Sequence, residues 1–146
     1  MQALETLKAT GDVKIELTRA DGSVETTEIH NLVVTTGLNY IVSRMKDATA
    51  NAMSHMAVGS GSTAAALANT ALGTELGRVA LTSTTVSANT IQYVATFPAG
   101  TGTGAVTEAG LFNAATAGTL LCRTVFGVVT KDTGDSMTIT WTVTVS

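Results

Sequence analysis

The glycines at positions 100, 102 and 104, in the stretch PAGTGTGAV, have the composition of a loop that could bind phosphate. A phosphate loop needs its glycines between a strand and the start of a helix, so that free amide groups and the helix dipole point at the anion. Here strand-like segments lie on both sides, no lysine follows, and the spacing differs from G-x-G-x-x-G. We therefore interpret this stretch, and AVGSGS at 57–62, as connections between strands.

Metal binding and thiol chemistry have little support in the sequence. The two histidines, His30 and His55, are far apart and have no Asp, Glu or Cys companion at ligand spacing. The single cysteine, Cys122, excludes an internal disulfide and a multi-cysteine zinc site. Its setting, LLCRTVF, is typical of a small buried hydrophobic residue and not of a nucleophile. We expect no metal site and no cofactor.

Catalysis would have to use scattered side chains. The carboxylates Glu75, Glu108, Asp132 and Asp135 are the candidates for a glycosidase pair, but nothing in their context indicates a raised pKa. No G-x-S-x-G motif marks a nucleophilic serine. We therefore expect no catalytic residues and a protein that is not an enzyme. A catalytic group of Ser, His and Asp that only the fold brings together is the one enzymatic alternative left open by the sequence.

The charge distribution argues against nucleic acids and membranes as partners. The net charge of −3 lies in the first 31 residues, which hold six acidic and three basic side chains, and the rest of the chain is neutral. Without a basic patch, we expect no nucleic-acid partner and no attraction to an acidic membrane surface. No apolar run approaches the roughly 18 residues of a membrane span, and the start of the chain lacks a signal-peptide pattern.

Composition points to strands and to contacts with other proteins. Charged residues make up 13% of the chain, against about 25% in a typical soluble domain, whereas threonine occurs 28 times. Threonine favours strands, and a weakly charged surface suits burial against protein.

Alternating apolar and polar residues predict an all-β chain. In MTITWTVTV, for example, Met137, Ile139 and Trp141 share one face with two valines, and four threonines cover the other. Two hairpins are predicted, across Asp21-Gly22 and across Ser87-Ala88-Asn89. The predicted strands are 12–18, 24–34, 54–61, 78–86, 90–97, 104–113, 119–129 and 137–145.

One helix is predicted near residues 36–47, where Leu38, Ile41, Val42 and Met45 recur at helical spacing. The stretch 62–77 is interpreted as a long loop. We therefore expect an antiparallel β-sandwich or jelly-roll-like domain with one short helix. Residues 1–11 form an N-terminal arm, and residues 12–146 form the single domain.

Three ordered motifs, MAVGSG, TALGTELGR and VTEAGLFNAATAGTL, resemble the domain at the head of tail-collar fibre proteins of tailed bacteriophages, over roughly residues 53 to 126. The matching residues are Ala57, Gly59, Gly61, Thr70, Ala71, Leu72, Glu75, Arg78, Glu108, Gly110, Leu111, Phe112, Gly118 and Leu120. This resemblance implies a virion building block that joins a trimeric fibre to the particle and has no catalytic residues.

The chain also departs from that family. It ends at Ser146 where a collar fibre continues into a shaft, and it adds an N-terminal hairpin and helix. Ala109 and Asn113 replace an aliphatic residue and an aspartate that are common in the motif. Its size and all-β character resemble the decoration, or cement, proteins of phage capsids, which are often trimers.

These resemblances imply a non-enzymatic virion structural protein assembled in the host cytoplasm. The hypothesis that we favour is a capsid decoration protein that binds the major capsid protein or other virion proteins and stabilises the shell, as a homotrimer. A tail collar or fibre-attachment component is the alternative. A host-glycan-binding module is a third hypothesis, although most of the six aromatic residues fall at predicted core positions.

Six residues are candidates for contacts with other virion proteins, two in the arm and four in the ExGLF motif. They are Leu4, Leu7, Glu108, Gly110, Leu111 and Phe112. If the Glu108 carboxylate turns inward it needs a charged partner, for which Arg78 is the candidate. A solvated Glu108 at a strand edge is the alternative.

Overall fold

The computed structural model describes residues 6–46 and 50–146, and these residues form nine strands and one helix. The elements are β1 Ala9–Thr18, β2 Val24–Val33, α1 Thr35–Ser43, β3 His55–Gly59, β4 Glu75–Ala80, β5 Ser83–Ser87, β6 Thr90–Phe97, β7 Gly104–Phe112, β8 Leu120–Lys131 and β9 Ser136–Val145. The strand pairings are antiparallel. The predicted all-β fold with one short helix is confirmed.

All nine strands belong to one curled sheet, in the order β4-β3-β7-β8-β2-β1-β9-β6-β5. Strand β2 connects its two halves, because its residues up to Asn31 pair with β1 whereas Leu32 and Val33 pair with β8. The halves face each other as in a sandwich, because one core cluster contains side chains from both, and β4 lies close to β6. Leu81 and Thr82 alone connect β4 to β5, the two ends of the sheet.

The period of two in the sequence places the core between the two halves. Val13, Trp141 and Tyr93 lie side by side on β1, β9 and β6, and all three are buried. Each large side chain buried in this way stabilises the fold by about 1.5–3 kcal/mol. The intervening residues, including Thr140 and Thr142, form an outer face that is rich in hydroxyl groups.

Strand β7 is buried on both of its faces, because the segment 60–74 covers the side opposite the core. Leu111 packs in the main core, whereas Phe112 packs with Leu120 in a second cluster on the other side. Seven consecutive residues, from Val106 to Phe112, are buried. This double coverage places Glu108 in the interior.

The helix packs through its smallest residue. Gly37 is buried, and a Cβ atom there would lie 1.9 Å from the carbonyl oxygen of Leu121. Ile41 packs against the main core. The predicted apolar face is therefore only partly buried, since three of its members are exposed: Leu38, Val42 and Met45.

Three segments differ clearly from their predicted bounds. The helix predicted near residues 36–47 ends at Ser43. Strand β1 begins at Ala9, and the backbones of Lys8 and Ser146 exchange hydrogen bonds of 2.7 and 2.8 Å. The end of the predicted arm therefore belongs to the sheet. The predicted strand 78–86 is split between β4 and β5, because the chain crosses from one half of the sheet to the other at Leu81.

Candidate functional site

Glu108 of β7 carries a fully buried carboxylate whose two oxygen atoms both accept hydrogen bonds. Its Oε1 atom accepts from the backbone N–H of Gly73 at 2.7 Å and from Nε of Arg123 at 3.1 Å. Its Oε2 atom accepts from the backbone N–H groups of Gly61 and of Thr74, the latter at 2.8 Å. A buried charge with this many donors is compensated within the fold.

The neighbouring glycines allow the backbone to reach this carboxylate. A Cβ atom at Gly61 would lie 2.2 Å from Oε2 of Glu108, and one at Gly59 would lie 2.7 Å from it. Any larger residue would therefore push the segment 60–74 away from β7. These glycines serve a close approach to a carboxylate, and a phosphate loop is not needed to explain them.

Arg123 extends the network from the sheet into the covering segment. Its side chain is buried on β8, and Nη1 donates to Oδ1 of Asn69 at 3.0 Å. The same Asn69 oxygen accepts from the backbone N–H of Ala66 at 2.8 Å. We call this network the Glu108 clasp, formed by Gly61, Asn69, Gly73, Thr74, Glu108 and Arg123.

The clasp keeps Glu108 ionised. Burial by itself raises the pKa of this carboxyl, but the backbone donors of Thr74, Gly73 and Gly61 and the guanidinium of Arg123 together outweigh burial. The pKa of Glu108 therefore lies below its usual value. A general acid at neutral pH needs the opposite shift and access to a substrate, so this geometry suits a structural role.

The predicted ion pair between Arg78 and Glu108 is wrong. Strand β3 lies between β4, which carries Arg78, and β7, whereas Arg123 lies on the strand directly beside β7. Arg78 instead donates to Glu75 at 2.7 Å and lies 3.8 Å from the ring centre of Phe112. It also donates to two carbonyl oxygens of the turn at 113–119.

Four of the six predicted contact residues are not on the surface. Glu108, Gly110, Leu111 and Phe112 are buried within the chain, so they cannot form a contact with another protein. Leu7 is 76% exposed. Leu4 lies outside the described residues.

No group of three or more His, Cys, Asp or Glu side chains within residues 6–46 and 50–146 is placed to bind a metal ion. His30 contacts Asp12 across β1 and β2, and both side chains are exposed. The same part of the chain has no helix long and apolar enough to cross a bilayer.

Comparisons with protein-family models, curated proteins and solved structures find no match to this chain. The functional interpretation therefore depends on the sequence motifs and on the geometry of the clasp.

Proposed function

We propose that this chain is a non-enzymatic structural protein of a bacteriophage virion, a capsid decoration protein that binds the shell as an oligomer and stabilises it. One observation carries the proposal: the three motifs of the phage resemblance meet at the Glu108 clasp. Gly61 comes from the first motif, Gly73 and Thr74 from the second, and Glu108 from the third. The motifs thus hold the segment 60–74 against β7, which supports a role as a structural building block.

The outer face of the half-sheet β2-β1-β9-β6-β5 suits contact with a shell. Threonines 138, 140, 142 and 144 run along its central strand. Short hydroxyl side chains lose little conformational entropy on burial, and they can bond to backbone groups of a partner. Surface buried across neighbouring capsid subunits adds free energy to the assembled shell that free subunits lack.

The positions of the aromatic residues favour protein contacts over glycan binding. Five of the six rings are buried and cannot stack on a sugar: Tyr93, Phe97, Phe112, Phe126 and Trp141. The sixth, Tyr40, is half-buried and packs against the core. A tail collar or fibre-attachment component is the second candidate, because the order of the three motifs resembles that of the collar-fibre domain.

Locating the chain in the particle tests both candidates. A cryo-electron-microscopy map of the parent particle should show many copies on the icosahedral lattice, and a shell without the protein should break at a lower temperature. A single ring of copies at the tail would select the collar function. Absence of the chain from the particle would refute both.

The arm provides a second test. Deleting residues 1–7 leaves the hydrogen bonds between Lys8 and Ser146 in place. We expect the shortened chain to fold with unchanged thermal stability and to lose affinity for the shell. Shell binding equal to that of the full chain would contradict the assignment of Leu4 and Leu7 as anchors.

A further inference from the structure

Strand β5 is an open edge of the sheet. It pairs with β6 on one side, and no other strand of the described chain pairs with it. All five of its residues are exposed. Val86 points to the same side as Ile91, which packs against the core, yet Val86 is 70% exposed.

The opposite end of the sheet is protected. Strand β4 carries the charged residues Glu75 and Arg78, which discourage pairing with another strand. The turn at 98–103 also packs against it, since a Cβ atom at Gly77 would lie 2.8 Å from the backbone nitrogen of Gly102. Strand β5 has no charge, no proline and no bulge. Its unpaired N–H and C=O groups are therefore open to a further strand.

The sequence of β5 is complementary to itself. Antiparallel pairing of two copies of Ser-Thr-Thr-Val-Ser about Thr85 places serine opposite serine, Thr84 opposite Val86, and Thr85 opposite Thr85. Pairs of threonine and of β-branched residues directly opposite each other stabilise antiparallel sheets. No charged residue lies between positions 79 and 107, so two copies of this edge meet without repulsion.

We propose that β5 is a docking edge for a second copy of this chain, which pairs with it antiparallel about a two-fold axis through Thr85. The pairing joins two nine-stranded sheets into one. It places Val86 between Ile91 of its own chain and Thr84 of the second copy, which removes its exposed methyl groups from water. The inference concerns the purified chain and does not depend on the virion role.

Charge substitutions at the two-fold axis test the pairing. Sedimentation equilibrium of the full chain, from low to high micromolar concentration, should show a monomer–dimer equilibrium. Thr85→Lys and Thr85→Glu each place like charges directly opposite, and each should weaken the dimer more than about tenfold. An equal mixture of the two variants should restore a dimer that contains one copy of each.

Thr26→Lys is the matched control. Thr26 is an exposed threonine on the outer face of β2, far from β5 in the strand order. Its substitution should leave the dimer unchanged, and circular dichroism should show that all of these variants fold. A wild-type chain that remains monomeric over the whole range would overturn the proposal. So would a dimer or trimer whose association Thr85→Lys does not weaken.

Cysteine pairs test the register. Ser83→Cys and Ser87→Cys should form a disulfide when the two variants are mixed and not when each is alone, because a residue and its own copy would lie about 14 Å apart. The native Cys122 is buried and does not compete. Cross-linking of each variant with itself would indicate parallel pairing and would overturn the proposed register.

Discussion

Replacing Glu108 by glutamine removes one buried charge and keeps the size of the side chain. The new amide NH₂ group must face either Gly73 and Arg123 or Gly61 and Thr74, so two donors lose their acceptor. Each buried donor without a partner costs about 1–3 kcal/mol. Removing one partner of a buried ion pair costs about 3–5 kcal/mol. We expect Glu108→Gln to lower the free energy of unfolding by about 4 kcal/mol, out of a typical total of about 5–15 kcal/mol.

Urea unfolding at neutral pH measures this loss as a lower midpoint at an unchanged slope. Arg123→Met should cost less, about 2 kcal/mol, because three backbone donors still surround Glu108. The double variant should then cost less than the sum of the two single variants, since both remove one shared interaction.

Glu75→Gln is the control for the loss of a carboxylate charge. Glu75 pairs with Arg78, but its side chain is 39% exposed, so we expect a change below about 1 kcal/mol. If Glu108→Gln unfolds within about 1 kcal/mol of the wild-type protein, the clasp does not hold the segment 60–74 as described.

Four further results are expected. The pKa of Glu108 is lower in the folded than in the unfolded chain. The stabilisation of the fold by the charged carboxylate is therefore complete at neutral pH and is lost as the pH falls below about 4.5. Over this fall in pH, the urea midpoint should drop less steeply for Glu108→Gln than for the wild type. In thermal unfolding, Gly37→Ala should lower the midpoint by several degrees because its Cβ atom would meet a backbone carbonyl. Gly127→Ala should leave the midpoint unchanged, because a Cβ atom there has nothing within 4 Å. Lys131→Met should leave the thermal midpoint equal or higher, because burial lowers the pKa of this ammonium, which donates to one backbone carbonyl. Burial raises the pKa of the Cys122 thiol, so a thiol reagent, followed by absorbance, should modify it only at the rate of unfolding.

The strands that face water on one side could be predicted from the sequence. In β9 the buried residues Met137, Ile139 and Trp141 alternate with half-buried threonines, and the period of two is visible by inspection. The two hairpins could be predicted equally well, because Gly22 and Asn89 lie in short turns between alternating segments. In these elements the local pattern and the tertiary environment agree.

The clasp was harder to predict because β7 and the first part of β8 are covered on both sides. A strand buried on both faces has no alternation that tells which side a residue faces. One signal was present in LLCRTVF, because an arginine within an apolar strand needs a buried partner. That signal indicates Arg123, but only the strand order shows that Glu108 is its neighbour.

The crossing at Leu81 had no local signal either. Neither glycine nor proline marks the point where the predicted strand 78–86 leaves one half of the sheet for the other. The break is imposed by the tertiary pairing of β4 with β3 and of β5 with β6. For the same reason, the open edge at β5 could not be located from the sequence.

The adjacent positions of β1 and β9 constrain how this chain can fold. The two strands come from opposite ends of the described chain, yet they pair side by side in the sheet through ten residues each. The core side chains of β9, among them Trp141, therefore reach their places only after a very long loop has closed. Contacts between residues so far apart in the sequence slow folding. A nascent chain that lacks β9 also lacks the central strand of the half-sheet β2-β1-β9-β6-β5. Cooperative folding should begin only once β9 has left the ribosome, and until then the apolar faces of the earlier strands stay exposed to chaperones.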